Sequence, residues 1–233
     1  MECMLALTVP TGRNTEKARL RSPWSALSPL RSVYTNDKVV ALTYDDGPDP
    51  RYTRRILAVL RRHNVKATFF MIGKSMDEYP DIVRQAHDDG HVVANHTYTH
   101  EKGSHMNSLS RMVGELERCE RTIERLTGER TYLFRPPRGD MRLAVIGASA
   151  RQGYCVALWT VCANFHGASP FMMADRVTSR VRPGAIILAH DGLFESRWKD
   201  VVATELIIEG LEQRGYRFVT LPELLAGPVG IAQ

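Results

Sequence analysis

The stretch Val39-Val-Ala-Leu-Thr-Tyr-Asp-Asp-Gly-Pro-Asp49 joins an apolar, β-forming run directly to two adjacent carboxylates and a Gly-Pro turn. The run predicts a buried strand, and a buried strand that ends in Asp45 and Asp46 is costly unless those charges meet a metal or a reacting group. The turn at Gly47-Pro48 would fix both carboxylates at the strand's carboxyl end. An isolated Asp-Asp-Gly is more often a simple polar turn, so the functional interpretation depends on clusters elsewhere in the chain.

The rest of the chain alternates short β-like runs with amphipathic helical stretches, which is typical of βα units and a parallel sheet. Its 233 residues suffice for a single well-buried domain. The clearest helix is Ser110–Leu126, with Gly128 as its C-cap. We predict seven strands, namely Val39–Tyr44, Ala67–Ile72, Val92–Asn95, Tyr132–Phe134, Tyr154–Trp159, Ala185–Ala189 and Tyr216–Thr220. This pattern alone does not separate an incomplete barrel from an open doubly wound sheet.

Residues 1–37 are rich in Arg, Ser, Pro and Thr and show no hydrophobic period. We therefore predict a partly irregular N-terminal arm before a domain at 38–233, with Trp24, Leu27 and Leu30 as candidates to pin the arm to the body. The chain lacks a basic, apolar secretory leader and any apolar run of about 20 residues, so we expect a cytoplasmic protein without a membrane partner. Export of a form with a different start stays an alternative.

Composition gives little support to a nucleic-acid partner. Lys and Arg number 31 against 26 Asp and Glu, a net charge of +5. The basic clusters lack interleaved aromatics, so solvated helix faces are favoured over a nucleic-acid groove. The four cysteines, Cys3, Cys119, Cys155 and Cys162, have no C-x-x-C spacing, which indicates free thiols in a reducing compartment. The sequence leaves the oligomeric state open.

Polar clusters follow the predicted strands at Asp45-Asp46, His96, Arg135, Cys162 to Asn164 and His190. Because βα architectures build their sites at the carboxyl ends of parallel strands, we expect these side chains to converge. In His96-Thr-Tyr-Thr-His100 the two histidines would lie on one face of a helical turn. With Asp46 they would form a two-histidine, one-carboxylate face for a metal. Two histidines at this spacing, without a further ligand, are more often ordinary surface residues.

These motifs resemble those of the polysaccharide deacetylases, the NodB-homology domain of carbohydrate esterase family 4. The similarity spans about Val39 to Thr220 and is carried by the Asp-Asp and His-Thr-Tyr-Thr-His motifs, by Phe134-Arg-Pro-Pro-Arg-Gly139 and by Ile187-Leu-Ala-His-Asp191. It implies a distorted (β/α)7 barrel and hydrolysis of acetyl groups from N-acetylated sugars or acetyl esters. It also implies one divalent metal ion, commonly zinc, with cobalt, manganese or nickel as alternatives.

Residue by residue, the resemblance implies that Asp46, His96 and His100 hold the metal. Asp45 would not coordinate the ion and would instead accept a proton from the attacking water. Arg135 would tether Asp45, since a guanidinium beside the carboxylate keeps it ionised and oriented. Without the resemblance, Arg135 would be interpreted as one member of a structural ion pair.

The resemblance also assigns the leaving-group side of the site. His190 would protonate the departing amine, Leu188 would line the pocket for the acetyl methyl, and the backbone N–H at Arg138 would help to hold the oxyanion. The family usually has Tyr at position 138, so the Arg138 side chain either favours an anionic substrate or points into solvent. Trp159 would form an aromatic wall for a sugar, although core packing explains Trp159 and Leu188 as well.

The chain departs from the family at its fourth motif, which normally supplies an Asp to pair with the acid histidine. Here the stretch reads Trp159-Thr-Val-Cys-Ala-Asn-Phe-His166, and no Asp or Glu occurs between Asp140 and Asp175. Cys162 or Asn164 therefore stands in place of the carboxylate. We expect the acid histidine to be a weaker and less firmly oriented proton donor as a result.

Taken together, the sequence predicts a metal-dependent hydrolase that removes an acetyl group from an N-acetylated amino sugar, either an oligosaccharide or a small glycoside. An acetyl-ester hydrolase of the same family is one alternative. A metal-binding carbohydrate-recognition protein with impaired catalysis is another, but a pure binder has no need of the non-coordinating Asp45. A basic nucleic-acid binder rests on the isoelectric point alone.

Overall fold

The computed structural model describes residues 28–101 and 103–227. Its strands and helices, in chain order, are β1 (Val39–Asp45), α1 (Tyr52–Arg62), β2 (Thr68–Met71), α2 (Gly73–Glu78), α3 (Pro80–Asp88), β3 (Val92–Asn95), α4 (Leu109–Thr127), β4 (Leu133–Phe134), α5 (Leu143–Gln152), β5 (Cys155–Val156), β6 (Val161–Cys162), α6 (Pro170–Arg180), β7 (Ile186–His190), α7 (Trp198–Glu212), β8 (Arg217–Val219) and α8 (Leu221–Ala226).

All pairings between these strands are parallel, in the order β5-β4-β3-β2-β1-β7-β6, and β8 pairs with the first half of β1. The curled parallel sheet with its helices confirms the predicted distorted (β/α)7 barrel. The predicted count of seven strands was wrong, because the described residues form eight. The predicted strand Tyr154–Trp159 stops at Val156, since the carbonyls of Ala157 and Leu158 accept hydrogen bonds from the Arg135 side chain.

The central strand β1 places the Asp-Asp motif at the mouth of the curl. It is buried from Val40 onward. Its side chains alternate between two apolar clusters, with Leu42 and Tyr44 facing the larger one under the helices and Ala41 facing a smaller one on the concave side. Because side chains alternate along a strand, Asp45 shares the concave side with Ala41. The strand therefore delivers Asp45 to the open end of the barrel interior.

The predicted helix at Ser110–Leu126 is confirmed as α4. Its N-cap is Ser108, whose side chain accepts a hydrogen bond from the Arg111 N–H, and it ends at Gly128 with φ of 73°. One face of the helix is buried, comprising Met112, Leu116, Cys119, Ile123 and Leu126. This buried face holds α4 against the sheet beside β3, the strand that leads to the histidine pair.

The start of the described chain packs along the sheet. Leu30 bonds through its backbone to Val156 and Leu158, and Ser32 forms a bridge with Ala185, so this segment lies between β5 and β7. Trp24 and Leu27, the other proposed pins, lie outside the described residues, as does Cys3; the remaining three cysteines are free. No helix in the described ranges is long and apolar enough to cross a membrane.

Candidate active site

The carboxyl ends of the strands bring the predicted site residues together. Asp45 and His190 end β1 and β7, whereas His96, Arg135 and Asn164 follow β3, β4 and β6. The residues that line the resulting cleft are Asp45, Asp46, His96, His100, Arg138, Trp159, Leu188, His190, Leu193, Phe194 and Arg197. Arg135 lies fully buried beneath this cleft.

Asp46, His96 and His100 form a compact face. Asp46 Oδ1 lies 3.5 Å from His96 Nε2 and 3.2 Å from His100 Nε2. His96 Nδ1 lies 2.7 Å from the Arg135 carbonyl oxygen, which can only accept, so Nδ1 carries the proton and Nε2 presents its lone pair to the face. His100 Nε2 is buried and has no hydrogen-bond partner among the described residues. Two such imidazoles and a carboxylate fit a divalent ion such as zinc.

The two histidines converge through a loop, so the predicted helical turn was wrong. Thr97 and His100 have φ of 68° and 55°, in the left-handed region that non-glycine residues rarely adopt. Asn95 Oδ1 accepts a hydrogen bond from the Thr97 N–H, and Glu115 Oε2 accepts from the next two N–H groups. These bonds hold the loop in a conformation that the histidine spacing alone does not specify.

Other positions around the cleft share this backbone conformation. Asp46, Arg138 and Leu193 have φ of 80°, 60° and 67°. Gly192 approaches the Asp46 carbonyl so closely that a Cβ atom there would collide with it. Unfavourable backbone conformations concentrate at functional sites, where the surrounding structure holds them in place. Here they turn the loop residues toward a common cleft.

Asp45 is bonded to a fully buried guanidinium. Arg135 Nη1 donates to Asp45 Oδ1 at 2.7 Å and to Thr43 Oγ1 at 2.9 Å. Its Nε and Nη2 donate to the carbonyls of Ala157 and Leu158, both at 2.9 Å. Asp45 Oδ2 accepts no hydrogen bond from the described residues. Arg135 therefore fixes one carboxylate oxygen and leaves the other available for a proton.

Asp46 is electrostatically suited to be a ligand. Burial alone would raise the pKa of Asp46, but without a metal, and with both imidazoles carrying a proton on Nε2, hydrogen bonds from His100 and His96 outweigh burial and hold that pKa well below its usual range. Its other oxygen, Oδ2, lies 3.3 Å from Nη2 of Arg197, a buried residue that the sequence analysis missed. Arg197 is the N-cap residue of α7, and nothing in its sequence context separates it from an exposed arginine.

His190 is bonded to an amide that is itself bonded to a carboxylate. His190 Nδ1 lies 2.7 Å from Asn164 Oδ1, and Asn164 Nδ2 donates to Asp200 Oδ2 at 3.1 Å. Burial, followed by the charge of Arg197, lowers the pKa of His190 to about 4. Of the two sequence candidates, Asn164 is therefore the one that bonds His190, whereas the Cys162 thiol donates to the Asn164 backbone carbonyl, at 3.6 Å.

The predicted substrate-contacting residues all line the cleft. Leu188 is buried, Trp159 is half-buried, and Arg138 is exposed without a hydrogen bond or ion pair to the described residues. The structure adds Leu193 and Phe194, which are 49% and 55% exposed. Their position directly after the strand-end motif His190 to Gly192 is the signal that could have identified them.

A larger cavity, of about 380 Å³, lies at the opposite edge of the sheet, around the starts of β3 and β4. One of its two histidines, His91, accepts a hydrogen bond at Nδ1 from the Ala67 N–H, and burial lowers the pKa of His91 to about 4. This histidine is therefore neutral and engaged with the backbone. The chemistry-bearing groups lie at the carboxyl edge, as in other βα folds.

Fold and cleft together define the class: a βα barrel in which a two-histidine, one-carboxylate face lies beside an arginine-bound carboxylate and a histidine. The chain belongs to the polysaccharide deacetylase family, whose sequence profile matches residues 32–157.

The similar proteins include both active and inactive members. A peptidoglycan N-acetylglucosamine deacetylase of Bacillus cereus is 35% identical over 81% of this chain and 69% of its own length. The crystal structure of the Bc1960 peptidoglycan N-acetylglucosamine deacetylase superposes with a TM-score of 0.80 at 33% identity, covering 87% of this chain and 96% of that one. BA3943 of Bacillus anthracis, a carbohydrate esterase family 4 pseudoenzyme, gives 0.76 at 30% identity, with 85% and 69% covered.

Proposed function

We propose that this protein hydrolyses the acetyl group from an N-acetylated amino sugar, presented as an oligosaccharide or a small glycoside, and that the reaction depends on a divalent metal ion. Carbohydrate deacetylation is the activity of its family. The similar Bacillus cereus enzyme, which acts on N-acetylglucosamine in peptidoglycan, supports an amide of an amino sugar as the substrate. The observation that carries the proposal is a carboxylate, Asp45, bonded to a buried arginine beside a separate metal-binding face.

Asp46, His96 and His100 are the proposed metal ligands. The convergence of Asp46 Oδ1 with Nε2 of His96 and of His100, at 3.5 and 3.2 Å, supports this assignment. Zinc is the proposed ion, with cobalt, manganese and nickel as alternatives that suit the same donors. When bound, such an ion lowers the pKa of a water molecule toward neutrality and polarises a carbonyl group.

Asp45 is the proposed general base. Its oxygen Oδ1 is occupied by Arg135, so its other oxygen would take the proton from the attacking water. The charge-assisted bond to Arg135, at 2.7 Å, orients the carboxylate. Asp45 Oδ2 lies 3.9 Å from His96 Nε2, which places the base next to the metal-binding face.

His190 is the proposed general acid: in its imidazolium form Nε2 would give a proton to the departing nitrogen, and the ring would keep the proton on Nδ1. Its Nδ1 is engaged by Asn164, which leaves Nε2 for this purpose. Leu188 would contact the acetyl methyl, and Trp159 would face the sugar ring. The backbone N–H at Arg138 would help to hold the oxyanion, and the Arg138 guanidinium at the rim would favour an anionic group on the substrate.

Similarity to the pseudoenzyme BA3943 favours a second candidate, a metal-binding carbohydrate-recognition protein. The intact pair of Asp45 and Arg135 favours an enzyme, because recognition alone does not need a buried carboxylate that stays off the metal-binding face.

Acetate release from a panel of substrates separates the candidates. The panel contains N-acetylglucosamine, its β-1,4 oligomers, peptidoglycan fragments, nucleotide sugars and acetylated xylan, each with added Zn²⁺, Co²⁺ or Mn²⁺. We expect acetate from at least one N-acetylated amino sugar. Release from xylan alone would establish the ester hydrolase, whereas binding of an oligosaccharide without acetate release would establish the recognition protein.

A further inference from the structure

The acid side of the cleft contains a carboxylate in the place where the sequence offers none. Asp200 lies in the first turn of α7 and is 1% exposed. Its Oδ2 accepts a hydrogen bond from Asn164 Nδ2 at 3.1 Å, and its Oδ1 accepts one from the His190 backbone N–H, also at 3.1 Å. Asp200 thus contacts both the side chain of Asn164, which bonds the imidazole ring, and the backbone of His190 itself.

This arrangement determines which way the Asn164 amide faces. Burial raises the pKa of Asp200 to about 6, so the carboxylate is ionised near neutral pH and can only accept hydrogen bonds. The Asn164 nitrogen must therefore face Asp200, and its oxygen must face His190 Nδ1, 2.7 Å away. The imidazole then carries its proton on Nδ1, and Nε2 is left for the cleft.

We propose that Asn164 and Asp200 act together as positioning residues for His190, in place of the fourth-motif aspartate. Asp200 orients the amide, and the amide selects the ring tautomer. We call this chain from Asp200 through Asn164 to His190 the relay. It orients the imidazole ring without placing a negative charge beside it. This proposal rests on the proposed role of His190, but its first test does not depend on turnover.

The neighbouring acidic residue does not fill this role. Asp191 follows His190 in sequence, yet its Oδ2 accepts a hydrogen bond from Thr53 Oγ1 at 2.6 Å and the side chain packs against Gly47. Asp200 is also buttressed by Arg197, whose Nη1 lies 3.7 Å from its Oδ2. Outer partners that orient an imidazole typically change activity 10- to 100-fold when removed.

The direct test is the tautomer of His190 in the zinc-loaded protein, read from two-bond ¹H–¹⁵N correlations of ¹⁵N-histidine protein and assigned with His190→Gln. We expect the Nδ1–H form in the wild type. Asn164→Ala and Asp200→Asn should each shift His190 toward a mixture of tautomers, whereas Cys162→Ala, the matched control, should leave it unchanged. An unchanged Nδ1–H tautomer in both Asn164→Ala and Asp200→Asn would overturn the proposal, whether or not the protein releases acetate.

Kinetics supply the second test, on an N-acetylated substrate identified in the panel above. Asn164→Ala and Asp200→Asn should each lower kcat about 10- to 100-fold with KM changed less than about threefold, because the pair orients the acid without touching substrate. The rate of both variants on an aryl acetate should stay close to that of the wild type. Wild-type inactivity on every substrate would contradict the proposed function, while the tautomer measurement would still decide the relay.

The exchanged variant Asn164→Asp/Asp200→Asn gives the sharpest outcome. Asn164→Asp alone places two carboxylates within hydrogen-bond distance, where they repel. In the exchanged pair, the carboxylate introduced at position 164 accepts hydrogen bonds from His190 Nδ1 and from the amide introduced at position 200. The oxygen of that amide accepts the hydrogen bond from the His190 backbone N–H. We expect kcat at least about tenfold above that of Asp200→Asn. If the fold-changes in kcat of the two single variants simply multiply in the double variant, the residues act independently and the relay is refuted.

Discussion

The two sides of the cleft that are proposed to transfer protons are built differently. On the base side, Asp45 bonds directly to Arg135, which is fully buried and bonded at all three nitrogens. On the acid side, His190 bonds to the neutral amide of Asn164, and the charge lies one residue further away on Asp200. A direct ion pair orients the carboxylate and places an opposite charge against it, whereas the amide of Asn164 orients the ring without placing a charge beside it.

Both sides border the cleft that contains the proposed metal-binding face, so removal of that face has the largest expected effect. His96→Ala or His100→Ala should lose stoichiometric metal and reduce acetate release below detection, as chelation of the wild type should, with recovery on adding Zn²⁺. Metal content is measured by mass spectrometry. His63, which lies near Glu205 and Glu209, provides the control, and loss of metal in His63→Ala would place the ion elsewhere.

The base side predicts the next largest effect. Asp45→Asn should lower turnover by about two to four orders of magnitude, the usual contribution of a general base, while metal stays bound and the fold is intact. Asp46→Asn is the matched variant and should lose metal. A fall in metal content in Asp45→Asn would make Asp45 a ligand and reverse the assignment of the two carboxylates.

Leaving-group chemistry separates the acid side from the base side. His190→Ala should lower the amide rate by about two orders of magnitude or more, because an amine cannot leave without a proton. The rate on an aryl acetate should change only a few-fold, since the phenolate leaves without one. Asp45→Asn should lower both rates. Equal losses on both substrates in His190→Ala would remove the functional distinction between the two sides.

The smallest expected effect is on the pH dependence of stability. Burial and Arg197 lower the pKa of His190 from 6.5 to about 4 in the folded protein, so folding favours the neutral ring. The stabilisation from this group is present above pH 6.5 and is lost as the pH falls through 4. Urea unfolding of the metal-free protein should therefore show a steeper loss between these pH values in the wild type than in His190→Gln. Parallel curves would show that His190 titrates normally.

Local motifs made much of the site predictable. The ends of β1, β3, β4 and β7 lie close to their predicted positions, so the residues that follow them meet at one edge of the sheet. Metal ligation and the proton-transfer roles remain predictions, as do the boundary at residue 38 and the cytoplasmic location. The loop of the histidine pair was not predictable, because its left-handed positions depend on bonds from Glu115 on another element.

The resemblance to a family implied that Arg135 would bond Asp45. The sequence by itself determined the alternation of strands and helices and the strand ends that carry polar residues. These features are local or follow from the parallel order of the strands. Only the tertiary structure brought Arg197 and Asp200 to the cleft. An Arg and an Asp three residues apart at a helix start have the same sequence pattern as an exposed ion pair. The packing of α7 buries them against Asp46 and Asn164, and burial with specific partners gives them a place in the site.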